Sequence, residues 1–218
     1  MEVPINMQKR SHKLLADTLL KTEDGFRTKR YELAFLFGSF EPDCNPFSYL
    51  KGSFRATRFG GHNYSNSQQF IERHVRKLQS RKRWNLWDYY TLGKMTHYVA
   101  DAFTFPHNTH YTDTMLAHHM YETDLRAYLE EYLADRTLRR KAFRADVAEE
   151  LGRLHDYYMQ SAADQKMDVQ YIIEAVSLLM AGCRPNWNGF YETAQVFPCT
   201  VSFFGKNTAS YLTGSVLS

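Results

Sequence analysis

Apolar residues recur every three to four positions along most of this chain, the spacing of one buried helical face rather than of a strand. That pattern predicts helices over roughly residues 8–21, 30–37, 67–80, 86–103, 113–133, 139–162 and 166–182. The first is expected to end near Asp24-Gly25 and the second at Gly38. From 38 to 63 the chain is rich in Gly, Pro, Asn and Ser, which reads as one long functional loop. Ser65 to Ser67 offer N-cap oxygens for the helix that follows. Arg184-Pro185-Asn186-Trp187-Asn188-Gly189 breaks the pattern again, and 190–213 is mixed, with Pro198 and β-branched residues disfavouring a helix. No repeat, low-complexity tract or inter-domain linker is visible. The expectation is an all-α multi-helix bundle forming a single domain over 1–218.

Composition narrows the classes. A chain of 218 residues can bury a substantial core. Its net charge of +3 gives no strong polyanion-binding signal. Three cysteines (Cys44, Cys183, Cys199) have no zinc-finger spacing and do not suggest a disulfide scaffold. The first 25 residues contain no continuous apolar stretch of signal-peptide type, and no run approaches membrane-spanning length, so a cytoplasmic location is expected. A basic stretch (Arg73, Arg76, Lys77, Arg81, Lys82, Arg83) is expected to be a solvated helix face. Trp84, Trp87, Tyr89 and Tyr90 are expected to be mainly core.

The chemistry lies in the spacing of histidines and carboxylates. His97 and Asp101, and His118 and Glu122, sit at i,i+4, so each pair shares one helix face. His107 follows Pro106 between them. Upstream stand His12, at the start of a helical stretch, and Asp43 and His62 in turn-rich sequence. Five histidines and three carboxylates suffice for a cluster of metals. Imidazole with carboxylate is the donor set of catalytic zinc. His118 is chosen as partner to Glu122, with the adjacent His119 (i,i+3) in reserve. His74, His110 and His155 fit no ligand spacing and are expected at the surface.

The order Asp43…His62…His97-x3-Asp101-x5-His107…His118-x3-Glu122 resembles the zinc-dependent phospholipase C family and its relatives, the single-strand-specific zinc nucleases. Neighbouring residues add to the likeness. Leu92-Gly93-x3-His97-Tyr98-x2-Asp101 resembles that family's central helix, Pro106-His107 its next turn, and Tyr121-Glu122 a step on its following ligand helix. His12 falls where the family has an early ligand. The resemblance runs from about His12 to Glu122.

It implies a buried multinuclear site with two or three zinc ions. Asp43, His62, His97 and Asp101 would hold the first, and His107, His118 and Glu122 a second. His12 and a shared Asp101 would hold a third. In secreted members the amine and carbonyl of an N-terminal Trp are also ligands; Met1 stands at a similar distance from His12, and its amine could substitute. Asp43 is the candidate general base. Phe59, three residues before His62, resembles an aromatic of the head-group pocket and is the candidate substrate contact. Cys44 stands where choline-binding members have another aromatic. The implied activity is phosphodiester hydrolysis by activated water on a phosphoester, a phospholipid ahead of nucleic acid. A single-strand-specific nuclease and a metal-stabilised non-catalytic protein are the alternatives.

Overall fold

A computed structural model describes residues 6–22, 26, 28–44, 64–108, 114–134, 138, 145–161 and 164–183. Seven α-helices run through them: α1 (Asn6–Thr22), α2 (Lys29–Cys44), α3 (Tyr64–Ser80), α4 (Leu86–Ala102), α5 (Met115–Ala134), α6 (Val147–Tyr158) and α7 (Gln165–Gly182). A 3-10 turn, Phe105–His107, follows α4. No strand occurs among the described residues, so the all-α expectation holds.

The bundle is built around α4. Thirteen of its residues are buried, including Lys94, His97 and Asp101, so it is covered on every side. Asn85 starts it through a capping box: its side chain accepts from the Trp87 N–H, and Asp88 returns a bond to the Asn85 N–H. Against α4 pack the inner stripes of its neighbours, among them Leu15, Ala16, Leu19 and Leu20 of α1 and Val169, Ile172, Val176 and Leu179 of α7. These spacings repeat at three and four residues, as a helix with one buried face requires. His12 lies on the same stripe of α1, one turn before Leu15 and Ala16, and is buried with them.

One expectation is overturned. Gly38 does not end the second helix; α2 continues for another turn and a half, through Pro42 to Cys44. The glycine has a different task. A Cβ on Gly38 would lie 2.1 Å from the Tyr90 carbonyl oxygen, and a Cβ on Gly93 would lie 2.0 Å from the Phe35 carbonyl oxygen. The two glycines form a reciprocal notch through which the backbones of α2 and α4 cross. The helices run in the same direction, with Tyr31 stacked on Tyr89 near one end and Asp43 facing His97 near the other. Pro42 has no N–H to return to the Gly38 carbonyl, so tertiary contacts carry the last turn. Glu41 accepts from Tyr90 Oη at 3.0 Å and pairs with Lys94 Nζ at 3.1 Å. Asp43 therefore sits on a helix, not in a loop.

Candidate metal centre

The first group of donors gathers where α1, α2 and α4 meet. Asp101 divides its two oxygens between two imidazoles: Oδ1 is 3.2 Å from His12 Nε2, and Oδ2 is 3.2 Å from His97 Nε2. Asp43 Oδ1 approaches His97 Nε2 from α2, at 3.5 Å. The His97 Nδ1–H donates to the Ser39 carbonyl at 3.0 Å. A carbonyl can only accept, so the proton is fixed on Nδ1 and the Nε2 lone pair turned into the cluster, the arrangement a metal-binding histidine needs. The His12 and His97 rings lie 3.9 Å apart between centroids.

This cluster is arranged around positive charge. Burial favours a neutral His12, but the charge and hydrogen bond of Asp101 outweigh it and raise its pKa to about 9. Burial and the neighbouring His12 cation lower His97. Burial also works to raise Asp101, yet the fields of His97, His107 and His12 hold it well below the ordinary carboxylate range. Asp43 Oδ2 is buried with no hydrogen-bond partner among the described residues. A buried, unpartnered carboxylate oxygen is costly. Its presence, with neutral-nitrogen and carboxylate donors around it, fits a metal ion.

The second group joins the 3-10 turn to α5. Glu122 Oε1 lies 3.2 Å from His107 Nε2 and 2.7 Å from His118 Nε2. Of the adjacent pair it is His118, at i,i+4, that faces Glu122. Burial works to raise the Glu122 carboxyl, but hydrogen bonds from the two imidazoles outweigh it and bring the pKa down to about 2. His107 is raised: burial opposes this, and the charges of Asp101 and Glu122 prevail. Both groups open on one cavity of ≈ 50 Å³. His12, Asp101, His107, Glu122 and Arg126 line it, with Leu15, Leu125, Leu129 and Ile172 as apolar wall. The two donor sets are His12, His97 and Asp101, and His107, His118 and Glu122; His12, Asp101, His107 and Glu122 are the members that face the cavity.

Three supports around the site went unnoticed in the sequence. Asn108 Nδ2 donates to the Ala102 and Thr104 carbonyls, at 3.1 and 3.0 Å, pinning the turn that carries His107. His155, expected at the surface, is instead buried; its Nε2–H donates to Asn108 Oδ1 at 3.0 Å, and its ring stacks on Tyr64. It sits on the inner face of α6 with Leu151, Leu154 and Tyr158. Asp168 of α7, fully buried, accepts from the Phe105 N–H at 2.8 Å and from the hydroxyls of Tyr121 and Tyr158 at 2.9 and 2.8 Å. Burial pushes its carboxyl up to about 6 against the pull of those donors. The signal for it was a carboxylate on an apolar stripe, one turn before Ile172.

The His155 environment gives a pH prediction. Burial lowers its pKa to about 4, so below pH 6.5 the unfolded chain binds a proton that the folded one refuses. Stability falls as pH drops from about 6.5 to 4. Relative to His155→Gln, the metal-free wild type should lose about 2 kcal/mol between pH 7.5 and pH 5. Urea unfolding of both proteins with chelator present measures this; parallel pH curves would contradict it.

Other expected features divide. Tyr89 is core, Trp84 is partly buried against it, Tyr90 contacts Glu41, and Trp87 is 71% exposed. Within the basic stretch, Arg76 pairs with Asp146 and Glu72, and Arg81 with Asp88. His74 is half-buried, with Nδ1 2.8 Å from the Phe70 carbonyl. Met1, Phe59, His62, His110 and Cys199 lie outside the described residues. No described helix is long and apolar enough to cross a membrane.

The fold and site together describe an all-α bundle with histidine and carboxylate donors converging on its core, the form of a helical metalloprotein. A family model for zinc-dependent phospholipase C matches residues 11–172, from just before His12 to beyond Asp168. The chain belongs to that family. The match continues well past Glu122, where the recognisable sequence motifs stop. No curated protein and no solved structure matches the chain.

Proposed function

We propose that this protein is a phospholipase C-like hydrolase that cleaves a phosphodiester with water, using two or three zinc ions held by the two donor groups. The observation that carries the reading is Asp101. Its two oxygens face different imidazoles, as a carboxylate shared between neighbouring cations would. His12, His97 and Asp43 would complete one end of the cluster, with His62, and His107, His118 and Glu122 the other. Zinc at such donors supplies Lewis acidity, lowering the pKa of water and countering charge on phosphoryl oxygens.

The chain's own residues do the rest. Asp43, whose Oδ2 has no hydrogen-bond partner among the described residues, is the proposed acceptor of a proton from the attacking water. The water oxygen forms the new P–O bond as one of its protons passes to Asp43; the ester P–O bond breaks, and the departing oxygen takes up a proton from solvent to leave as an alcohol while Asp43 returns its proton to solvent. Arg126, one turn beyond Glu122, also lines the cavity, with its Nε 3.2 Å from Glu130 Oε1, and is the proposed contact for a non-bridging phosphoryl oxygen. Leu15, Leu125, Leu129 and Ile172 limit water around the reacting groups. Phe59 is the proposed head-group contact.

The test is a stripped and zinc-reloaded full chain, assayed on phospholipid vesicles and on single-stranded oligonucleotides. The expected result is phospholipid hydrolysis that disappears with chelator and returns with zinc. Cleavage of oligonucleotides alone would replace this reading with a nuclease. Bound zinc without turnover on either, with a large fall in Tm on chelation, would replace it with a non-catalytic metal-stabilised protein.

A further inference from the structure

We infer that Asp168 is a positioning residue for the His107–His118–Glu122 metal group, acting from outside the cavity through the backbone of the His107 turn and the hydroxyl of Tyr121. The inference rests on that group holding a metal, and goes beyond it by assigning how its geometry is set.

Asp168 stands in the first turn of α7, fully buried on an otherwise apolar face. A carboxylate there has to be explained, because burying one is costly unless donors surround it. Its donors come from three separate segments. Oδ2 takes the Phe105 N–H, two residues before His107, and the Tyr121 hydroxyl, on the residue before Glu122. Oδ1 takes the Tyr158 hydroxyl from α6. One oxygen therefore ties together the turn that carries His107 and the helix that carries His118 and Glu122. Other contacts between these segments are the His107–Glu122 pair at 3.2 Å and ring packing of Phe105 against Tyr121 at 5.8 Å and of His107 against His118 at 5.2 Å. A metal held by both needs their spacing fixed before it arrives. The α7 N-terminus favours negative charge at this end of the helix.

Tyr158 provides an internal control. It donates to the same carboxylate, but α6 carries none of the proposed ligands. Tyr121→Phe and Tyr158→Phe each remove one hydroxyl bond to Asp168, so a purely structural carboxylate would register them alike. A positioning carboxylate would not.

The experiment is zinc competition against a chromophoric chelator with the full-length protein, alongside thermal unfolding in the absence of metal. The affinity class lost in Glu122→Gln identifies the group. Tyr121→Phe should weaken that class about 10-fold, and Tyr158→Phe by less than about 2-fold, with similar falls in metal-free Tm. Asp168→Asn, which keeps an oxygen acceptor for Phe105 and Tyr121, should retain affinity better than Asp168→Leu. Equal weakening by the two tyrosine variants, or none by Tyr121→Phe, would overturn the inference while leaving the metal group standing. Absence in wild type of any zinc class sensitive to Glu122→Gln would overturn the metal group itself, and the inference with it.

Discussion

Asp101→Asn should lose zinc and hydrolysis together while remaining helical. The carboxylate faces His12 with one oxygen and His97 with the other. An amide of the same shape offers one neutral acceptor where two anionic ones stood. Removal of outer-sphere partners alone costs 10–100-fold in metal affinity, so loss of a shared donor should cost at least about 100-fold in affinity and in kcat/KM. The second figure corresponds to about 2.7 kcal/mol of transition-state stabilisation. The fold should survive at neutral pH, because His12 without Asp101 loses the influence that raised its pKa and can remain neutral in its buried place. Metal content by elemental analysis, turnover on a phosphodiester and far-UV circular dichroism check the three parts. Full activity with zinc retained would contradict the shared role.

Gly93→Ala should be the most damaging small substitution away from the donors. Its Cβ would stand 2.0 Å from the Phe35 carbonyl oxygen and 2.9 Å from the Ser39 nitrogen, inside the 3.0 Å that real Cβ contacts respect. Both obstacles are backbone, so α2 and α4 must separate. Overpacking of this kind costs about 3 kcal/mol or more, roughly 10 °C in Tm for a chain of this size. Separation would also stretch the bond from His97 Nδ1–H to the Ser39 carbonyl and draw Asp43 away from His97. Zinc affinity should therefore fall with stability. Gly152→Ala is the control. Nothing lies within 4 Å of its added Cβ, and it sits inside α6, so it should be neutral or stabilise by up to about 1 kcal/mol. Calorimetry of the two variants measures the contrast; equal Tm values would remove the notch from the account.

The helices were legible because their apolar residues keep one period. The 86–103 and 166–182 expectations nearly coincide with α4 and α7. Where the reading erred, a residue carried a signal with two meanings. Gly38 suggested a helix end, since glycine is the commonest residue just past one, yet here it admits a neighbouring backbone. The cue was its counterpart, Gly93, inside a run otherwise expected to be helical. His155 fits no ligand spacing, which suggested a surface position, yet it lies on the buried stripe of α6 with Leu151, Leu154 and Tyr158, and that apolar periodicity is the signal for its burial. Within the expected 139–162 helix, α6 begins at Val147 because Asp146, which accepts from the Ala148 and Glu149 N–H groups, caps it; residues 139–144 lie outside the described residues.

The donors were legible as pairs, since i,i+4 spacing is local. How the pairs meet was not. That His12 of α1 faces Asp101 of α4, that the Ser39 carbonyl orients His97, and that Asp168 reaches the His107 turn from α7 all depend on tertiary packing between segments 58 to 89 residues apart. Sequence spacing carries no direct record of those distances.

The central claim is that these two donor groups bind zinc to hydrolyse a phosphodiester, and it is tested most directly by titrating zinc into chelator-stripped protein while following turnover in the same samples. The account predicts two or three tightly bound equivalents, with hydrolysis appearing as the groups fill, and zinc affinity at the Asp101 group and turnover both lowered at least about 100-fold in Asp101→Asn. Folded protein that binds no zinc, or that binds it fully without hydrolysing any phosphodiester offered, would contradict it.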